Sequence, residues 1–248
     1  MRKGIDVSHW QGNINWEKVK ADGVQFAIIK AGGSDAGFYK DSKFETNYAG
    51  AKAVGIKVGA YYFVGKGCKS YNDGVADAKR FIDLIKGKVF DYPVYIDFEA
   101  PDTTNKAGNT QACIGFCKTM EQAGYFCGIY SSDISGFVDR LNMNDLTAYS
   151  WWVARYGSEP QRARKNLHIW QKSSTGHVNG INGNVDMNEG YVDFETIIAQ
   201  KGLNGYSKVV IRDTTTNPQP TKPKTLEERV AELEQRVGKL EAKFYGLI

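Results

Sequence analysis

Eight short apolar runs recur along this chain, and amphipathic stretches separate the early ones. They are "GIDVS" (4–8), "FAIIKAG" (26–32), "KVGAYYFV" (57–64), "PVYIDFE" (93–99), "FCGIYSS" (126–132), "SWWVARY" (150–156), "LHIWQKS" (167–173) and "NVDMN" (184–188). Runs of this length, bounded by turn residues, suit strands buried on both faces. Between them Phe44, Tyr48 and Ala51 share one helical face before a stop at Gly55, and Val75, Ala78, Ile82 and Ile85 share another before Gly87. Strand, helix and strand at this cadence imply right-handed crossovers and a parallel sheet. Eight strands favour closure into a barrel. The last three leave little room for helices, so the predicted fold is α/β: an irregular β/α barrel of about five β/α units followed by three strands with few helices.

The chain has 248 residues, 42% hydrophobic and 24% charged, which suits one large domain plus an appendage. A net charge of +4 is too small to argue for nucleic acid. The opening "MRKGIDVSHWQG" runs straight into a strand without an apolar signal core, and nowhere do 18 apolar residues follow one another. Synthesis in the cytoplasm without a signal peptide, and no stable membrane insertion, are therefore expected. Cys113, Phe116, Cys117 and Met120 form a helical apolar stripe ending at Gly124, Cys127 lies in the next apolar run, and Cys68 sits alone in a loop. That pattern reads as reduced core thiols rather than a disulfide framework. The three histidines are scattered without zinc spacing, and neither metal nor cofactor is signalled.

Beyond the barrel region (1–207) the character changes. Residues 208–225 read as a linker, since "IRDTTTNPQPTKPKT" carries three prolines and five threonines. In the last segment, 226–248, Leu226, Val230, Leu233, Val237, Leu240, Phe244 and Leu247 are spaced alternately four and three apart, a heptad seam. Arg229 and Arg236 occupy g positions, and Glu234 and Glu241 the e positions that face them in a parallel neighbour. An antiparallel pairing would set like charge on like. The expectation is a parallel coiled coil, dimeric or trimeric.

The stretch "DYPVYIDFEA" (91–100) raises the chemical question. Asp97 and Glu99 are two apart on a strand, so their side chains point the same way from Cα atoms roughly 6.5 Å apart. In a parallel barrel the C-terminal strand ends carry the chemistry. There each acid raises the other's pKa, so that one can be ionised while its neighbour donates a proton. Cleavage of a glycosidic bond needs that division of labour. The same triplet recurs at Asp193–Glu195, ahead of Ile197 and Ile198, where it reads as helix capping.

Other strand ends add to the pair. Asp6 ends the first strand, and Asp186 lies on the last, which neighbours the first in a closed barrel. Tyr61, Tyr62, Tyr130, Trp152, Tyr156 and Gln171 fall at comparable positions. Aromatic faces stack on sugar C–H surfaces while carboxylates and amides bind hydroxyls.

Across residues 1–205 the ordered segments "GIDVSHWQG", "GAYYFV", "YPVYIDFE", "GIYSS", "WWVARY" and "HIWQKSSTGHVNGINGNVDMN" resemble the family 25 glycoside hydrolases, lysozymes that hydrolyse peptidoglycan. The resemblance implies a β/α barrel with an incomplete helical ring. It also implies an N-acetylmuramidase cutting the β-1,4 bond between N-acetylmuramic acid and N-acetylglucosamine. Carried over by position, Glu99 is the general acid/base, and Asp97 either attacks C1 or orients the substrate's acetamido group to do so. Asp6 and Asp186 match two further cleft acids, and Tyr61 and Gln171 match substrate contacts. Relatives often carry Tyr-His where this chain has Tyr61–Tyr62, which implies altered contacts. The leading expectation is a phage or prophage endolysin that reaches the wall after release. The alternatives are a host autolysin, an enzyme acting on unsubstituted N-acetylglucosamine polymers, and a non-catalytic glycan-binding assembly protein oligomerised by its coiled coil.

Overall fold

A computed structural model describes residues 1–207, 225–227, 229–231, 233–235 and 237. The chain divides into two units at 209/210. In the first, the described residues form nine strands: β1 (Arg2–Val7), β2 (Phe26–Gly33), β3 (Tyr39–Lys40), β4 (Lys57–Phe63), β5 (Val94–Asp97), β6 (Cys127–Ser132), β7 (Ser150–Ala154), β8 (Leu167–Gly176) and β9 (Val185–Gly190). Five α-helices accompany them: α1 (Trp16–Ala21), α2 (Phe44–Ala53), α3 (Tyr71–Ile85), α4 (Lys106–Gln122) and α5 (Phe194–Lys201). All eight apolar runs are strands. The unexpected β3 is a two-residue antiparallel addition to the end of β2.

The sheet closes because β1 pairs with β2 on one side and β9 on the other. The ring runs β1-β2-β4-β5-β6-β7-β8-β9, and neighbours from β1 to β8 are parallel. The last strand departs from the parallel expectation, for β9 is antiparallel to both β8 and β1. Only residues 177–184 separate β8 from β9, too few for the dozen or more that a parallel crossover needs. The chain therefore turns straight back. As a result the first residues of β9, not its last, lie at the barrel's C-terminal mouth.

Four β/α units precede the irregular part, rather than about five. The β6–β7 connection holds a six-residue π segment and one 3-10 turn. Gly136, Asn142, Asn144 and Asp145 in that connection are poor helix formers. Within it the carboxylate of Asp133 accepts the N–H groups of Gln161, Arg162 and Ala163 and pairs with Arg155, tying down the loop after β7.

Alternation along each strand sorts side chains into two layers. Ala27, Ile29 and Ala31 point outward to the helices, whereas Phe26, Ile28, Tyr95, Tyr130, Trp152 and Ile169 fill the barrel. Its floor is aromatic and needs small partners. A Cβ at Gly4 would sit 2.2 Å from the Phe26 ring, and one at Gly128 would sit 2.4 Å from Tyr95. Outside, Cys113, Phe116, Cys117 and Met120 of α4 are fully buried, as their spacing predicts, each large apolar side chain contributing about 1.5–3 kcal/mol. On α3 the buried face is Gly74, Asp77, Ala78, Phe81 and Ile85, so Val75 and Ile82 are only its half-buried edge. All four cysteines are free and buried.

In the second unit the described residues between 226 and 237 are helical. Leu226, Val230, Leu233 and Val237 are 75%, 45%, 56% and 50% exposed. Arg229 and Glu234 are described and exposed. The linker apart from Thr225, together with Arg236, Leu240, Glu241, Phe244 and Leu247, lies outside the described residues.

Candidate active site

Parallel strands that begin on an aromatic floor end on a polar rim. Above the rings, the inward position of β1 is Asp6, that of β5 is Asp97, that of β8 is Gln171, and β9 supplies Asn188 and Asp186. Asp6 and Asp186 are register partners across the β1–β9 seam. The antiparallel turn of β9 brings them together, as expected from barrel closure.

A hydrogen-bond chain ties this rim. Asn188, fully buried, accepts the Trp152 indole N–H at 2.7 Å and donates to Asp6 Oδ2 at 2.7 Å. Gln171 donates to the same Asp6 oxygen at 3.0 Å and accepts the hydroxyls of Tyr130 and Tyr156 at 2.9 and 3.2 Å. Burial, followed by the neighbouring Asp186, pushes the Asp6 carboxyl well above its usual range. Burial also raises Asp186, which a hydrogen bond from Asp6 pulls back. The two titrate as a pair, with Asp6 the more strongly raised member.

Asp97 differs in having no such support. It is 5% exposed, and its Oδ1 is buried without a hydrogen-bond partner. Burial and then the charge of Glu99 drive its pKa well up, against the pull of Lys30. Glu99 stands just past the end of β5 and is reachable from solvent. The surrounding walls still strip enough water to raise its pKa, with Arg140 and Lys30 opposing. A cavity of about 230 Å³ lies beside it, lined by Glu99, Tyr130, Ser132, Ala154, Arg155 and Tyr156. A buried acceptor with a free lone pair next to an accessible, proton-retaining carboxyl can bind a polar substrate and protonate it.

The aromatic expectations separate by strand phase. Tyr61 points inward, half-buried, with its ring edge-on to Trp152 at 5.9 Å. Tyr130 packs on Trp152 at 4.4 Å. Trp152 itself is 1% exposed, so it lies beneath the cleft and props Tyr130 and Asn188 rather than meeting a ligand. Tyr62 is one residue out of phase with Tyr61 and is not part of the site. It is fully buried on the outer layer, its hydroxyl donating to Asp77 at 3.3 Å and its ring against Phe81 and Phe116.

Lys30, Asn188 and Arg140 escaped the sequence reading. A lone lysine inside the apolar run "FAIIKAG" was the available signal for Lys30. Arg140 comes from the irregular β6–β7 connection, and its guanidinium donates to the Pro101 and Ser135 carbonyls. Among the described residues no group of three or more His, Cys, Asp or Glu side chains is arranged to hold a metal ion. The second triplet stands at the opposite end of the barrel. Asp193 occupies the N-cap position of α5. It takes the Thr196 hydroxyl and pairs with Arg2, while Glu195 pairs with Lys57.

Known proteins resemble this chain. Lysozyme M1 of Streptomyces globisporus is 33% identical over 213 residues, covering 75% of this chain and 67% of that protein. The autolytic lysozyme of Clostridium acetobutylicum is 29% identical over 208 residues, 82% of this chain, which spans only 61% of the clostridial protein. The crystal structure of the CTP1L endolysin superposes with a TM-score of 0.70 at 27% identity, covering 80% of this chain and 69% of the other. Residues 5–181, containing all of the carboxylates at the mouth except Asp186, match the family described as glycosyl hydrolases family 25. This chain therefore belongs to the glycosyl hydrolases of family 25.

Proposed function

We propose that the protein hydrolyses peptidoglycan at the β-1,4 bond between N-acetylmuramic acid and N-acetylglucosamine, with Glu99 as general acid/base and Asp97 as the anion. The observation that carries this reading is the unpartnered, buried Asp97 Oδ1 beside the reachable Glu99. Glu99 gives its proton to the glycosidic oxygen as the C1–O bond breaks. Asp97 meets the positive charge developing at C1, by direct attack or by orienting the acetamido group. Water then adds at C1, displacing the Asp97 carboxylate or the acetamido oxygen, and Glu99 recovers a proton from it. An acetamido N–H donated to Oδ1 would stabilise the Asp97 anion and leave the proton of the pair on Glu99. Asp6, Asp186, Tyr61, Tyr130, Tyr156 and Gln171 form the polar and aromatic walls that bind sugar hydroxyls and ring faces.

The proposed setting is a phage or prophage endolysin, made in the cytoplasm and acting at the bacterial wall after release. Names of both endolysin and autolysin type occur among its relatives. The proposed parallel coiled coil at 226–248 would cluster several catalytic domains and raise their effective concentration on the wall. Supporting it are the heptad charges and the exposure of Leu226, Val230, Leu233 and Val237. Light scattering at micromolar concentration should give a dimer or trimer, and a monomer would remove the coiled coil from the account.

Purified peptidoglycan digested by wild type and by Glu99→Gln, then reduced with borohydride, tests the chemistry. New muramic ends from wild type and almost none from the variant are expected. Glucosamine ends would place the cut at the other bond. No new ends from folded wild type would favour a glycan-binding role.

A further inference from the structure

The mouth gathers four carboxylates, Asp6, Asp97, Glu99 and Asp186, and burial works against charge on every one of them. Left to themselves, buried acids at close quarters hold their protons. A pair holding both protons has no anion for C1. Something in the site must favour one negative charge on Asp97 and Glu99 without occupying the oxygen that substrate needs.

Lys30 is placed for that task. It lies on β2, in phase with the inward Phe26 and Ile28, and is 8% exposed, the one lysine buried to that degree among the described residues. No carboxylate of a described residue lies within ion-pair distance of its Nζ. Three aromatic rings surround the ammonium instead, Phe63 at 4.7 Å, Tyr39 at 5.5 Å and Tyr61 at 6.0 Å from their centroids. The rings come from two elements, Tyr61 and Phe63 from β4 and Tyr39 from β3. Tyr39 stands on β3, the short strand folded back over β2, and its hydroxyl is fixed by donating to Asp35 at 2.8 Å. Cation–π attraction holds an ammonium against such faces. The other cations nearby are already committed, Arg140 to two backbone carbonyls and Arg155 to Asp133.

Resting on the muramidase reading above, we propose that Lys30 is a positioning residue for the hydrolysis: its ammonium, held off Asp97 by the aromatic cage, keeps the Asp97–Glu99 pair singly ionised while leaving Asp97 Oδ1 open to substrate. A direct Lys30–Asp97 ion pair would give the same charge but block the acceptor. The cage resolves that conflict by trading contact for field. The titratable and charged groups facing the pair are Lys30 and Asp35 from β2 and its loop, Asp6 from β1, Asp186 from β9, Arg140 from the β6–β7 connection, and the hydroxyls of Tyr39, Tyr61, Tyr130 and Tyr156 from β3, β4, β6 and the loop after β7. Lys30 and Arg140 are the cations among these, and Lys30 acts on both acids whereas Arg140 acts on Glu99.

The test is the pH profile of kcat/KM for the full chain on soluble glycan oligomers from purified peptidoglycan, read as new reducing ends. Lys30→Met keeps the aliphatic stem and removes the charge. Its acid limb should move up by about one pH unit, an approximately tenfold loss on that limb. Lys30→Arg should restore the wild-type limb with KM little changed. Phe63→Leu opens the cage and should let the ammonium close on Asp97, moving the acid limb down and raising KM. A folded Lys30→Met whose limbs coincide with those of wild type overturns the inference. If Lys30→Met does not fold, an unchanged profile and KM in Phe63→Leu overturns it instead. Wild type that releases no reducing ends would sink the muramidase reading itself, and this inference with it.

Discussion

The tripeptide Asp-Phe-Glu occurs twice in this protein, once at each end of the barrel, and the two copies behave in opposite ways. At the bottom, Asp193 and Glu195 meet Arg2 and Lys57, and the Thr196 hydroxyl, followed by the Arg2 ion pair, holds the Asp193 carboxyl below its usual range. At the mouth, Asp97 and Glu99 meet other acids and a lysine kept at a distance, and both are raised. Local sequence is the same, and surroundings decide the chemistry. Asp193 at the bottom stabilises by being ionised. The acids at the mouth are strained by it, the usual cost of a working site.

The same change made in both copies should separate their roles most strongly. Glu99→Gln should lower kcat by at least about 100-fold, the ordinary loss of a general acid/base. Glu195→Gln should leave kcat within about twofold, because a bottom-face charge does not touch substrate. Comparable losses in both variants, measured on the same peptidoglycan, would end the distinction between the two copies.

Stability against pH gives a second, smaller contrast. Asp6 is raised in the folded state, so the native protein holds a proton that the unfolded chain releases above about pH 4. Its contribution is therefore present at low pH and lost as pH rises through the folded value. Asp6→Asn keeps an oxygen for the Asn188 and Gln171 N–H groups and offers Asp186 a permanent donor. Its melting temperature should exceed that of wild type by about 3 °C near neutral pH and match it below about pH 4. Activity should fall at the same time. A melting point unchanged or lower at pH 7 would mean that the Asp6–Asp186 pair is not strained.

The smallest effect is expected at the bottom, and with the opposite sign. Asp193 is lowered on folding, so its contribution is present above the unfolded pKa and lost as pH falls through the folded one. Asp193→Asn should melt slightly below wild type near neutral pH, within about 2 °C for an exposed pair, and match it in acid. A calorimetric series on both variants would show the two curves approaching wild type from opposite sides.

Much of this was legible beforehand because the signals are local. Short apolar runs and helical stripes specify strands and helices by themselves, and two acids two residues apart on a strand must face one way. Closure followed from the number of strands, and with it the meeting of Asp6 and Asp186. Phase was not legible at residue resolution. Tyr61 and Tyr62 are adjacent and alike, and only the register of β4 in the barrel decides that one lines the mouth while the other packs on α3 and α4. Trp152 lies on the expected strand but at a depth that spacing does not encode, because neighbouring strands determine how far a ring lies below the rim.

The repeating architecture and the carboxylate pair are therefore written in local spacing, since each rests on the pattern within single elements. Tertiary structure alone decided the reversal of β9, the isolation of Asp97 Oδ1 and the cage around Lys30. Each of those depends on atoms from several strands converging, and a short connection or a shift of one register position would undo it. Charge on a buried acid is a property of such a convergence, because burial and neighbouring charges, rather than residue type, set its proton affinity.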